Sequence, residues 1–214
     1  ISNTGNQVSA FRLPDHSRVI LAAESSVRYN SLFLGRKVNL KGKAYFEVEK
    51  NEDSPFLVQS GKASIEALGT RFNVKSYPDE DQIEVALGEG SVKFAFLKNN
   101  NQKQYLNLKP GDYIVFYKDD ETVQLENKEL DKYIAWHTNT LIFDDTPIEE
   151  VARLLERWYG VDVTLVGQDL KKYKFTTTFD NESLFQVLEL LRLSSPISIK
   201  YIPGKINRGT GNAE

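Results

Sequence analysis

Cysteine is absent from this 214-residue chain, and so is methionine. Without thiols there is no disulfide framework, no thiolate metal site and no sulfur nucleophile, and cysteine usage says nothing of the redox compartment. Histidine is nearly missing as well. His16 and His137 stand far apart in sequence and lack the convergent partners that hold zinc, so both are expected as solvated or locally hydrogen-bonded side chains. Neither sign of charge dominates: 27 Lys and Arg face 30 Asp and Glu, which leaves no electrostatic footprint for nucleic acid or an anionic membrane. No apolar run approaches the roughly 18 residues of a membrane helix, and nothing resembles a signal peptide. The segment is therefore expected to be soluble by itself, and Ile1, in a chain without an initiator Met, to begin a processed or cut segment.

Reaction chemistry is equally sparse. Asp79-Glu-Asp81 lacks the alternating acidic loop of a calcium site and reads as a solvated turn. Gly88-Glu-Gly90 has no third glycine and opens no helix, so it reads as a strand bend rather than a phosphate cradle. Trp136 and Trp158 are expected in a core or a seam. No set of nucleophile, base and acid stands out, and the sequence points to no catalytic, cofactor or metal site.

What the chain does have is alternation. Between Leu40 and Val92 apolar residues fall at every second position, in Ala44/Phe46/Val48, Phe56/Val58, Ile65/Ala67, Phe72/Val74 and Ile83/Val85/Leu87, separated by Gly, Pro, Asn and Asp clusters. Short strands are expected before it at Val19–Leu21, Val27–Tyr29 and Val38–Leu40. Others follow at 93–96, 105–108, 112–117 and 122–125, with turns at Asn99–Gln102 and Lys109-Pro-Gly-Asp112. About a dozen strands without a helix signal predict a sandwich, a barrel or a β-solenoid. Ile1 to Ala10 is expected to fray.

From Glu129 the pattern changes. Leu130, Ile134, Ala135 and Trp136 predict a short helix or turn, and the chain then repeats itself at an offset of 36 residues: Phe143-Asp-Asp-Thr-Pro-Ile-Glu-Glu-Val-Ala-Arg-Leu-Leu155 lies over Phe179-Asp-Asn-Glu-Ser-Leu-Phe-Gln-Val-Leu-Glu-Leu-Leu191. The same offset sets Val161/Val163/Leu165 over Ile197/Ile199/Tyr201, which predicts two β-α-β units. In the first, Thr146 and Glu149 form an expected capping box with Pro147 at the first helical position, and Gly160 stops the helix. Ile148, Val151, Leu155 and Trp158 make its apolar stripe, and Glu149, Arg153, Glu156 and Arg157 its wet face. The second helix carries apolar residues on two sides. Phe185 and Leu188 stand where the first has Glu149 and Ala152, and are expected to pack on the β domain or on a partner. The fold class is thus a mainly β N-terminal domain, a β-solenoid or twisted double sheet, followed by a small α+β domain of two β-α-β repeats. The expected divisions are 1–128, a linker 129–136, the repeat domain 137–203 and a disordered tail 204–214.

The blocks Gly42-x-Ala-Tyr-Phe-Glu-Val48, Pro55-Phe-x-Val58, Leu68-Gly-Thr-x-Phe-Asn-Val74 and Glu89-Gly-Ser-Val92, in that order, resemble the periplasmic domain of FecR-type transmembrane anti-sigma regulators, with the likeness beginning near Leu13. Trp136-x(4)-Leu141-x-Phe143 through Arg157-Trp-Tyr-Gly-Val161 is similar to the C-terminal domain of such proteins, itself similar to the secretin and TonB short N-terminal signalling domain. The resemblance favours the twisted double sheet. It also implies a periplasmic portion of a single-pass inner-membrane protein, with the membrane helix and a sigma-binding cytoplasmic region upstream of Ile1. Its partners would be the N-terminal signalling domain of a TonB-dependent transporter and, through that upstream region, an extracytoplasmic-function sigma factor. No cofactor is implied. Some members cleave themselves at a Gly-Thr step, which falls here on Gly69-Thr70; the alternative is an ordinary turn between strands.

Two function classes follow. One is a non-enzymatic signalling module that works by protein contacts, with Glu149, Arg153, Arg157, Phe185 and Leu188 as partner-binding residues. The other is a carbohydrate- or peptidoglycan-binding β domain with an α+β appendage, which would need an aromatic platform such as Tyr113/Tyr117, although alternation sets these with Val115 on a face that reads as core. The residues alone stop at a two-domain binding protein; the resemblance selects the first class.

Overall fold

The alternating segments become strands. In the computed structural model, which describes residues 1–4, 8–98 and 102–202, they are β1 (Ser2–Asn3), β2 (Ser9–Arg12), β3 (Arg18–Leu21), β4 (Ser25–Tyr29), β5 (Lys37–Glu47), β6 (Phe56–Ser60) and β7 (Ala63–Ala67). The series continues with β8 (Arg71–Ser76), β9 (Gln82–Glu89), β10 (Val92–Leu97), β11 (Lys103–Leu108), β12 (Asp112–Tyr117) and β13 (Val123–Asn127). Together they form one curled sheet. The C-terminal part adds α1 (Asp131–Ile134), a 3₁₀ turn (Ala135–Thr138), β14 (Thr140–Pro147), α2 (Ile148–Tyr159), β15 (Lys174–Asp180) and α3 (Leu184–Ser194). The predicted turn at Asn99–Gln102 and the tail from Gly204 lie largely or wholly outside the described residues. The class is the expected one, mostly β with a small α+β region after it.

The chain divides into two compact units, Ile1–Asn181 and Glu182–Glu214. In the first, β5 is the strand on which the sheet folds over. Its first half pairs antiparallel with β4 and parallel with β6, and its second half pairs antiparallel with β3 and β8. The sequence suggested two strands here, at Val38–Leu40 and Ala44–Val48; the structure has one, bent at Gly42, whose φ of 92° glycine adopts without strain. Two layers follow from the bend. Val38, Phe56, Ile65 and Phe94 of one layer share a core with Phe46, Phe72, Val85 and Phe116 of the other. Ring pairs such as Phe46–Phe56, with centroids 5.9 Å apart, and Phe96–Phe116, at 5.0 Å, knit the layers together.

Several local expectations are corrected. The lead-in does not simply fray: Ser2 and Asn3 pair with β4, and Asn3 Nδ2 donates to the carbonyls of Leu21 and Ala22. Thr146 makes no capping box. It stays in the ladder opposite Phe175, its hydroxyl accepts from the Asp144 N–H, and α2 starts at Ile148 with the Ile148 N–H donating to the Tyr173 carbonyl. The reciprocal box sits in the second copy instead, between Ser183 and Gln186. Gly160 ends α2 as expected, in the left-handed region, with its N–H on the Glu156 carbonyl. The first strands of the two repeats, β14 and β15, pair antiparallel, but their expected second strands, 161–166 and 197–202, join no ladder among the described residues.

In the second unit, α3 buries Val187 and Leu191, whereas Phe185 is 63% exposed and Leu193 69%. Of the expected second apolar side, Phe185 is exposed and Leu188 half-buried.

Candidate functional site

The outer face of the layer formed by β3, β5, β8, β9 and β12 carries Lys43, Lys75 and Glu84, yet it is covered. Residues 130–136 and α2 lie over it, so that Trp136 packs on Ile20 and Tyr45, and Leu130 on Tyr113, Val115 and Ala86. The Trp136 indole N–H donates to Asn73 Oδ1 at 2.9 Å, deep in this seam. His137 stacks on Tyr45 with centroids 4.0 Å apart, which accounts for it locally.

Between the seam and α2 lies a cleft of about 670 Å³. Its floor is a row of charges set by strand register, because Lys43 of β5 pairs with Lys75 of β8, and Lys75 pairs in turn with Glu84 of β9. Lys75 bonds both Glu80 and Glu84 at 2.9 Å. Glu84 also accepts from the Tyr113 hydroxyl at 2.6 Å, and burial together with that carboxylate pushes the phenol well up. Burial alone would lower Lys75, but the two carboxylates outweigh it and hold it above the ordinary lysine value. Burial alone would raise Glu80, and the bonds from Lys75 and Arg157 outweigh that and hold it low.

Among the described residues Lys43 has no such partner. It is half-buried, its ammonium lies 4.7 Å from the centre of the Trp136 ring, and burial followed by the Lys75 charge brings it down to about 7. The two neighbouring lysines therefore shift in opposite directions, for want of a carboxylate at one of them.

Arg157 closes the cleft. Its guanidinium lies 3.9 Å from the centre of the Tyr77 ring, pairs with Asp79 at 2.9 Å, and bonds Glu80. The expectation of a solvent-facing Arg157 is thus corrected: it ties α2 to the 77–80 loop, a partnership across 77 positions of sequence that helical periodicity does not register. Arg153, one turn earlier, is exposed and lines the cleft mouth, whereas Glu149 is half-buried in the first turn of α2. Leu188 is half-buried beside the exposed Phe185 on α3. Tyr113 is buried in the seam with Val115, so it offers no platform to a glycan, and Tyr117 packs against the same cluster.

Gly69 and Thr70 form the step between β7 and β8. Gly69 has φ 150°, and a Cβ there would meet the backbone of Lys50 at 2.8 Å. Thr70 is 3% exposed; its carbonyl accepts from the Val48 N–H, while its hydroxyl is buried without a hydrogen-bond partner among the described residues.

Set beside known proteins, residues 2–93 match the FecR protein family and residues 140–207 the FecR C-terminal family. The first match begins ahead of Leu13, where the motifs become legible. The fold is similar to two crystal structures of a candidate anti-sigma factor from Parabacteroides distasonis, at 28% identity in both. The first has a TM-score of 0.83 over 95% of this chain and 94% of that one; the second has 0.81 over 94% and 93%. No curated protein matches. A curled β body followed by the FecR C-terminal segment is the arrangement this chain shares with that candidate anti-sigma factor. The chain belongs to the FecR family.

Proposed function

We propose that this chain is the signal-receiving region of an anti-sigma regulator, non-enzymatic and periplasmic. Its sigma-binding part and membrane helix would lie in another segment of the same protein. The likeness over nearly the whole chain to a candidate anti-sigma factor carries this reading. The signal would come from the N-terminal signalling domain of a TonB-dependent transporter and would end on an extracytoplasmic-function sigma factor. Within this reading residues 1–128 form the β body, 129–136 the connection and 137–203 the receiving repeats.

What favours contact through the repeats is exposed apolar surface on α3, at Phe185, Leu190 and Leu193, together with segments 161–166 and 197–202, which alternate like strands in sequence and join no ladder among the described residues. Calorimetric titration with the signalling domain of the transporter encoded beside this protein is expected to give saturable binding. Phe185→Asp with Leu193→Asp is expected to weaken it at least tenfold, and Arg153→Glu by less, since a rim charge acts mainly on the rate of encounter. No binding by the unaltered chain contradicts the proposal.

A second reading attaches to Gly69-Thr70, where the unpartnered Thr70 hydroxyl favours it. Attack of Oγ1 on the Gly69 carbonyl carbon would break the Gly69–Thr70 C–N bond and leave an ester, which water would then split. Among the described residues no base is hydrogen-bonded to that hydroxyl. The backbone bonds of the step also suit a plain turn between β7 and β8. Intact mass spectrometry over days separates the two: fragments 1–69 and 70–214 mark cleavage, and an unchanged mass with Thr70→Ala indistinguishable from it marks the turn.

A further inference from the structure

We propose that the outer face of the other layer, on β4, the first half of β5, β6, β7, β10 and β11, docks on a membrane surface of anionic phospholipid. This goes beyond the signalling role and rests on different residues.

Strand register gathers cations on this face. Arg28 of β4 pairs with Asn39 of β5, and Lys37 and Lys41 stand two residues to either side of Asn39, so all three point the same way. Across the layer, the register that starts at Lys37 runs through Leu57 and Glu66 to Lys93, and Lys103 pairs with Leu97, the second outward residue of β10 after Lys93. All five cations are exposed. Among the described residues none of them makes an ion pair or a side-chain hydrogen bond, and Glu66 is the one carboxylate at an outward position of these strands.

Total charge conceals this. The chain has 27 Lys and Arg against 30 Asp and Glu, so everything outside the face is the more acidic for what the face collects. A local field follows from where charges sit, and their sum does not register it. Guarding of an edge strand by lysine would account for Lys103, since β11 ends the sheet. It does not account for Lys37 and Lys41, because β5 lies in the middle of the sheet.

Shape and composition select a lipid surface as the occupant. Six strands side by side present a face about 24 Å across. A single-stranded nucleic acid would ask for several stacking platforms, and Tyr105 is the one aromatic at an outward position here. Its ring is half exposed and lies 4.6 Å from the Lys93 ammonium and 5.4 Å from that of Lys103. Leu97, in register with Lys103, is 43% exposed. An amphipathic ring between lysines, beside a leucine, suits the boundary of headgroups and acyl chains, with the ammonium groups at the phosphates. Residues 130–136 and α2 cover the opposite layer, so docking by this face turns them away from the lipid.

Sedimentation of the full chain with vesicles tests this, using phosphatidylcholine alone and phosphatidylcholine with about one third phosphatidylglycerol, at about 0.05 M and about 0.5 M salt. At low salt the charged vesicles are expected to bind at least tenfold more tightly than the neutral ones, and high salt to abolish the difference. Lys93→Gln with Lys103→Gln is expected to weaken binding at least tenfold, since each cation near such a surface contributes about fivefold. Lys171→Gln with Lys172→Gln makes the same change in net charge at exposed lysines outside the face, and is expected to leave binding unaltered. Heparin is expected to bind more weakly than the charged vesicles. The proposal is overturned if neutral and charged vesicles bind alike, if the 171/172 pair loses as much as the 93/103 pair, or if heparin binds more tightly, which would make the occupant an anionic glycan.

Discussion

Trp136→Ala is expected to lower the unfolding free energy by about 4–6 kcal/mol, combining the usual cost of emptying a buried indole site with that of an orphaned buried amide. Trp136 is only 4% exposed, packs on Ile20 and Tyr45, and satisfies Asn73. It also provides the ring beneath the Lys43 ammonium, so its loss leaves that charge more poorly accommodated. Against a typical total of about 5–15 kcal/mol, the variant stands close to unfolding at room temperature. Trp136→Phe keeps most of the packing and loses the N–H, and is expected to cost about 1–3 kcal/mol. Urea melts followed by circular dichroism measure both. A loss below about 1 kcal/mol for the alanine variant would mean that residues 130–136 do not cover the sheet as described.

Gly42→Ala is expected to cost about 3–5 kcal/mol, strain and clash together. A methyl at Gly42 would lie 2.3 Å from Ser25 Oγ and 2.8 Å from the Ser25 α-carbon, and the residue would have to hold φ 92°. The conformation alone costs on the order of 1–3 kcal/mol for a residue with a Cβ. The clash adds to it, because the nearest backbone belongs to β4, which is paired to β5 around this point. Ser25 cannot swing away cheaply: its hydroxyl donates to the Ala23 carbonyl and accepts from the Lys43 N–H. Adding Ser25→Gly is expected to return only part of the loss, since the β4 backbone still crowds the new methyl. Full recovery in the double variant would show that the side chain, and not the bend of β5, sets the requirement for glycine.

That bend shows where sequence reading reaches and where it stops. Alternation placed Ala44, Phe46, Phe56, Ile65, Phe72 and Val85 in a core, and they are there. It broke β5 into two strands because a glycine inside an alternating run looks like punctuation, when here it is a hinge within one strand. The cover over Lys43, Lys75 and Glu84 leaves no local signal, because the covering elements, 130–136 and α2, come from much later in the chain. Arg157 was read correctly as off the apolar stripe of α2, yet it faces Tyr77 and Glu80 rather than water. Thr146 had the right spacing for a cap, but the β14–β15 ladder holds it in the strand, while Ser183, with no ladder to compete, caps α3. Lys43 carried a faint signal, a lysine between Gly42 and an apolar run. Only the fold shows that, among the described residues, no carboxylate bonds it.

Amide hydrogen exchange along the chain, with and without the transporter's N-terminal signalling domain, tests the signalling reading most directly. The account predicts slowed exchange across Leu184–Ser194 on adding that domain, with little change in the strands of the double-layered core. Unaltered exchange throughout, or protection confined to the β body, would contradict it.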